Sequence, residues 1–212
     1  MLRKRRRHAA AARRAAPVTR GGLFAALLVL IAAPAAADTV TFSVAAGALG
    51  LQTGAFARGK EPDEIVRLSL PGALYDPPLP VQPVAGPRAT PEAALAADYA
   101  ANLAGDANAI VAGFAPQDRD DIRALVEDPD MLARNTATSR DLERMAITGQ
   151  VLLGDHALLL ISHWYDGVPW PAVYAFVETP EGYLRANALS NDPAFDVVFT
   201  ALRGGEVTAG GQ

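Results

Sequence analysis

Chemistry needs side chains that hold a proton, a metal or a reactive lone pair, and one stretch of this chain concentrates them. GDHALLLISHWYDGVPWPAVYAFV, Gly154 to Val177, contains His156, His163, Trp164, Tyr165, Asp166 and Trp170. A histidine acts as a general base when a neighbouring carboxylate orients it, which here would pair His163 with Asp166. On an alternating strand these two positions face opposite ways unless the turn intervenes. The other reading makes His163 a strand-end residue satisfied by backbone or water. Ser162 and His163 make a poor nucleophile pair, because adjacent strand residues diverge and the chain lacks a G-x-S-x-G elbow.

Metal and redox chemistry have few residues to draw on. The chain has no cysteine, which excludes disulfides, thiolate metal ligands and cysteine nucleophiles. His156 and His163 are seven residues apart, without H-x-H or H-x-x-x-H spacing. The acidic run Asp118, Asp120 and Asp121 reads as a solvated helix face, and DPDM at Asp128–Met131 lacks the ligand order of a calcium loop. No metal and no cofactor are expected.

These residues must be positioned by elements that hydropathy patterning outlines. TVTFSVA (Thr39–Ala45) alternates with a period of two and predicts a half-buried strand, and EIVRLSL (Glu64–Leu70) predicts a second, with a glycine-rich loop between them. From Pro71 to Pro91 the chain has seven prolines. Proline fixes φ and removes a backbone donor, so this segment reads as an extended strap on the surface rather than a helix or central strand. Thr90 and Pro91 then start a helix with Leu95, Tyr99 and Leu103 on one stripe, ended by Gly105. Asp106 caps a second helix carrying Ile110, Val111 and Phe114, and Pro116 opens a third that Asp128–Pro129 stops.

After a polar stretch at Arg134–Arg140 the pattern turns to strands: LERMAITGQVLL, DHALLLISHWY, AVYAFVE and YLRANALS. Asp166–Gly167 is a good turn dipeptide, although Pro169 and Pro171 predict a hairpin loop wider than two residues. Both faces of LLLI are apolar, which predicts a central strand covered on both sides. Asp192–Pro193 restarts a helix with Phe195, Val198, Phe199 and Leu202 inward, closed by Gly204 and Gly205. The order, helices and then antiparallel strands, predicts an α+β domain: a curved sheet packed on about three helices, with a β-rich N-terminal extension and a short C-terminal helix.

TPEAALAADYAANLAGDANAIVAGFAPQD, followed later by ITGQVLLGDHALLLI and a GY turn before the last long strand, resembles NTF2-like domains, the cystatin-like α+β cones. The resemblance covers roughly Thr90–Ser190. That family includes ketosteroid isomerases, polyketide cyclases and dehydratases beside many non-catalytic binders. The resemblance implies a tyrosine donor on the first helix, matched by Tyr99, and a carboxylate base, matched by Asp128 in VEDP. As ligand-pocket candidates the chain offers Tyr99, Phe114, Trp164, Tyr174 and Phe176.

The N-terminus reads as a targeting device. MLRKRRRHAAAARRAAPVTR carries eight basic residues and no acid, and Leu23–Ala33 is an apolar run too short for a comfortable membrane span. PAAA before Asp38 then supplies the small residues of a cleavage site near Ala37. Removing eight of the 19 basic residues leaves 11 against 23 acids, a net charge of −12. Such a chain repels nucleic acid phosphates and anionic membrane surfaces.

The expected organisation is a signal peptide at 1–37, a β-rich extension at 38–70, a proline-rich connector at 71–90, the α+β domain at 91–205 and a flexible tail at 206–212. The function expected is that of an exported, periplasmic or secreted, non-catalytic domain binding a small apolar ligand or a periplasmic protein. Neither nucleic acid binding nor membrane insertion after cleavage is expected. Two alternatives stand beside it: an isomerase- or dehydratase-like enzyme using Asp128 and Tyr99, and a structural homodimer assembled through the apolar outer face of LLLI.

Overall fold

The computed structural model describes residues 38–49 and 54–210. The signal peptide expected at 1–37 lies outside the described residues, as do 211–212. Among the described residues seven strands form one sheet: β1 (Thr39–Ala45), β2 (Ile65–Pro80), β3 (Arg144–Leu153), β4 (His156–Tyr165), β5 (Val168–Thr179), β6 (Gly182–Ala186) and β7 (Glu206–Gly210). Their spatial order is β6-β5-β4-β3-β2-β1-β7, and every neighbouring pair is antiparallel. The α-helices are α1 (Gly54–Ala57), α2 (Pro91–Ala104), α3 (Ala107–Ala112), α4 (Arg119–Glu127), α5 (Pro129–Arg140) and α6 (Pro193–Gly204).

Strand β4 lies in the interior of the sheet, third from the β6 edge, and its sequence says why. Leu158, Leu159, Leu160 and Ile161 are all buried, two on each face. Each contributes roughly 1.5–3 kcal/mol of burial. Leu159 and Ile161 join Ile147, Met145, Phe176, Ala94 and Leu95 in the inner layer, beneath α2. Leu158 and Leu160 join Val40, Phe42, Val44, Val173 and Ala175 in the outer layer, where Val197, Val198 and Ala201 of α6 cover them. A third cluster, Ala101, Ile110, Phe114 and Ile122, holds the helices to one another.

Several expectations are corrected. The N-terminal strands are not a separate extension, because β1 and β2 continue the same sheet. The proline segment is strand as far as Pro80: β2 pairs with β3 on either side of an irregularity between Leu74 and Leu79, so Pro77 and Pro78 fall where no ladder donor is needed. The expected tail contains β7, which pairs with β1. The hairpin between β4 and β5 is a two-residue turn, with Tyr165 opposite Val168 and both Asp166 (φ 50°) and Gly167 (φ 75°) left-handed. Alternation of the ladder then turns the nitrogens of Pro169 and Pro171 away from β4. On that side β6 pairs only with Ala175–Thr179, so their missing donors are not called upon. The outer LLLI face proposed for a dimer is occupied by α6, since Leu158 and Leu160 are 0 % exposed.

Among the described residues four α-helices, α2 to α5, lie between the strap and β3 where three were expected, because Asp128–Pro129 ends α4 and starts α5 in the same step. The Asp128 side chain accepts hydrogen bonds from the Asp130 and Met131 amides while Pro129 takes the first helical position. Thr90–Pro91 and Asp192–Pro193 start α2 and α6 the same way. An N-cap contributes about 1 kcal/mol, so Asp128→Ala should lower unfolding stability by about that amount in urea denaturation and leave the fold intact.

Candidate functional site

Helix α2 has an anomaly on its buried side. Leu95 and Ala94 pack on the sheet as expected, but Asp98, on the same face, is only 5 % exposed. A carboxylate there requires a partner, and it comes from the strap. After Val81 donates to the Met145 carbonyl (2.9 Å) and Val84 to the Ala96 carbonyl (3.3 Å), the chain crosses α2. Its Arg88 carbonyl then accepts from Tyr183 N–H (2.8 Å), which ties the strap to β6. This places Arg88 Nη2 2.7 Å from Asp98 Oδ1. Asp98 Oδ1 is thereby paired with Arg88, and Oδ2 is left without a hydrogen-bond partner among the described residues. Burial pushes the Asp98 carboxyl above the usual carboxylate range, against the opposing pull of Arg88 and then Arg185.

Asp98 opens onto a chamber of about 200 Å³ between α2, α5 and the inner face of the sheet. Tyr99 and Asn102 come from α2, Asn135 and Ser139 from α5, His163 and Tyr165 from β4, Tyr174 from β5 and Arg185 from β6. His163 lies 5.8 Å from the Tyr174 ring and 6.4 Å from the Tyr165 ring. Its Nε2 is buried without a hydrogen-bond partner. Burial, and then the Arg185 charge, hold its pKa below the ordinary imidazole value, so the ring is neutral near pH 7. Burial raises the Tyr99 hydroxyl, and burial together with Tyr174, Tyr99 and Asp141 raises Tyr165.

Arg185 is held by aromatic faces. Its guanidinium lies 3.9 Å from the Tyr174 ring centre and 5.3 Å from that of Phe114. Its backbone is clamped as well: Arg185 N–H donates to the Gly113 carbonyl (2.9 Å) and its carbonyl accepts from Ala115 N–H (2.8 Å). Asn102 and Asn135 hydrogen-bond side chain to side chain across α2 and α5, and Asn102 also donates to the Asp98 carbonyl (2.7 Å).

The expected site residues fall in different places. Tyr99 and Tyr174 line the chamber. Phe114 lies behind Arg185, in a separate apolar hollow between helices. Phe176 is a core residue at 0 % exposure, packed with Leu159 and Ile161 in the inner layer. Trp164 belongs to an outer groove of about 480 Å³ with Pro80, Pro83 and Glu143, and lies under the Arg144 guanidinium at 4.1 Å. Groove and chamber share Tyr99 and Met145 in their walls. Asp128 is exposed and spent as an N-cap, so it does not meet Tyr99. Asp166 is exposed in the turn and does not orient His163. Asp98, Asn102, Asn135 and Arg185 were missed; the signal available was a carboxylate at stripe spacing from Leu95, with an amide four residues on.

Two tests follow from the ion pair. Removing one partner of a buried pair costs about 3 kcal/mol, so Arg88→Leu should lose about that much near pH 7. The sign with pH follows from the raised pKa: the folded state binds the Asp98 proton more tightly than the unfolded state. Its contribution to stability is therefore greatest below the ordinary carboxylate range and falls as pH rises through the folded value. The Arg88→Leu loss should accordingly shrink towards about pH 4, where protonation relieves the orphaned carboxylate; urea titrations at both pH values check this. Gly113 is needed for space rather than for conformation, because a Cβ there would meet Asp98 Oδ1 and lie 2.8 Å from Arg88 Nη2. Gly113→Ala should cost about 1–3 kcal/mol by overpacking, readable in the same titration.

No family model and no curated protein matches the sequence. Among solved structures, a protein from Campylobacter jejuni described as an NTF2-like transpeptidase is similar to 46 % of this chain and 98 % of its own, at 15 % identity and a TM-score of 0.35.

Proposed function

We propose that the chain is an exported domain of the NTF2-like kind whose cone holds a small ligand in the chamber around Asp98, His163 and Arg185. The observation that carries this is a pair of buried polar atoms left without hydrogen-bond partners among the described residues, Asp98 Oδ2 and His163 Nε2, on residues that line one hollow. Buried polar groups are ordinarily satisfied, and each exception needs a reason. A ligand that donates to the carboxylate and to the imidazole nitrogen supplies one. The same atoms argue for a polar ligand over the apolar one expected from the sequence. Export rests on the order of the basic, apolar and small-residue segments ahead of Asp38.

A second reading is favoured by the state of His163. A neutral imidazole with an uncommitted Nε2, facing a hollow beside the Tyr99 hydroxyl, is equipped to take a proton from a bound substrate. In an isomerase- or dehydratase-like enzyme His163 would then be the base in place of Asp128, and Tyr99 the donor.

Function and structure make opposite demands at His163. A structural histidine loses stability on replacement, whereas one kept for a ligand leaves an unsatisfied atom whose removal is neutral or favourable. His163→Leu should leave the melting temperature unchanged or raise it by about 2–4 °C. A fall of several degrees would make His163 a part of the scaffold and overturn the reading.

A further inference from the structure

Behind the chamber lies a second hollow, of about 190 Å³, among α3, α4 and α5. Its walls are Ile110, Phe114, Ile122, Val126 and Leu132, and Leu125 (50 % exposed) and Met131 (38 % exposed) also line it. Large apolar side chains left in water around an apolar hollow mark a binding surface more often than a structural one. The hollow has only three polar lining residues, Asn102, Asn135 and Arg185, and all three also line the polar chamber. The hollow is therefore two-sided: hydrocarbon around most of it, and amides and a guanidinium on the side facing Asp98 and His163.

The charge on that side is settled by what surrounds it. Arg88 and Arg185 are permanently cationic, Asp98 is the one carboxylate lining the chamber, and His163 is neutral near pH 7. The excess is positive whether or not Asp98 holds a proton. Arg88 is committed to Asp98, whereas Arg185 makes no ion pair with a carboxylate among the described residues and is held by ring faces. A guanidinium positioned this way keeps its N–H fork available for a carboxylate. From Asp38 onward the chain has 11 basic residues against 23 acids, so a cationic interior spot stands against the charge of the whole.

We propose that this hollow binds a small amphipathic monoanion, a carboxylate on a short hydrocarbon chain or ring, with its head on Arg185, Asn102 and Asn135 and its tail among Phe114, Val126 and Leu132. This rests on the reading of the chamber as a ligand site and places a second ligand class, an acceptor, on the donors that chamber and hollow share. The head accepts from the Arg185 fork and the two amides, and the tail supplies the apolar burial that the chamber lacks.

Calorimetric titration of the full chain with octanoate, octanol and acetate tests it. Octanoate should bind at least about tenfold more tightly than either of the others, since acetate lacks the tail and octanol the charge. Arg185→Gln should weaken octanoate about tenfold and leave octanol unchanged. Leu132→Trp fills the hollow from α5 and Val126→Phe fills it from α4; either variant, shown to be folded by its melting transition, should abolish octanoate binding. Octanol binding as tightly as octanoate, acetate binding as tightly as octanoate, no octanoate binding at all, or octanoate binding that survives both filling variants would each overturn the proposal. The melting temperature of His163→Leu decides the chamber reading independently, so the two can fail separately.

Discussion

A carboxylate on the apolar side of a helix is the constraint around which this molecule is arranged. Asp98 lies on α2 among Ala94, Leu95, Ala97 and Ala101, all buried. An unpaired charge in such surroundings costs several kcal/mol, and a helix residue cannot turn away without surrendering its stripe. The compensation is long-range. The strap crosses α2, is anchored by hydrogen bonds at Val81, Val84 and Arg88, and delivers one guanidinium to the carboxylate. Gly113 leaves room for the pair, and the 113–115 segment in turn clamps the backbone of Arg185. Strap, first long helix, helix turn and edge strand are interlocked through one ion pair.

That interlocking also explains the hollow beside it. Side chains that satisfy a buried charge do not pack like hydrocarbon. Around Asp98 the inner layer of the sheet gives way from leucines and isoleucines to His163, Tyr165, Tyr174 and Arg185, whose polar tips converge without filling the space. Farther along the same strands the layer closes again over Phe176 and Leu159. The sheet's outer face needs no such compromise. There α6 lays Val197, Val198 and Ala201 on Leu158, Leu160 and Val173, and the core is apolar throughout.

Period and punctuation made much of this fold legible. The two-residue alternation of Thr39–Ala45 is a strand, the doubly apolar LLLI is an interior strand covered on both faces, and the Thr90–Pro91 and Asp192–Pro193 pairs open helices. The failures have local causes. Asp128–Pro129 was read only as a stop, so the polar α5 was lost, its stripe being weak in a segment that buries Thr136 alone. Pro169 and Pro171 argued for a wide loop because the unpaired side of β5 cannot be seen before the strand order is known. The site was less legible still, since Asp98, Asn135, His163 and Arg185 come from four elements that only tertiary packing brings together. A base at Asp128 is implied only by the resemblance of VEDP to the NTF2-like pattern, and the hydrogen bonds it accepts from its own helix make it a cap.

The distinction between a binder and a proton-transfer enzyme reduces to where charge can be placed in a partly dry chamber. Burial disfavours the ionised form of Asp98 and the protonated form of His163 alike, and two arginines carry the remaining charge. A neutral ligand leaves that balance as it is, with Nε2 of His163 free to act as a base. An anionic ligand close to Arg185 offsets the charge that depresses His163 and makes the imidazolium easier to form. By linkage, the second kind of ligand takes up a proton on binding, and its affinity falls as pH rises above the imidazole's own value. On the proposed readings, anion capture and base catalysis would therefore compete for one nitrogen, Nε2 of His163.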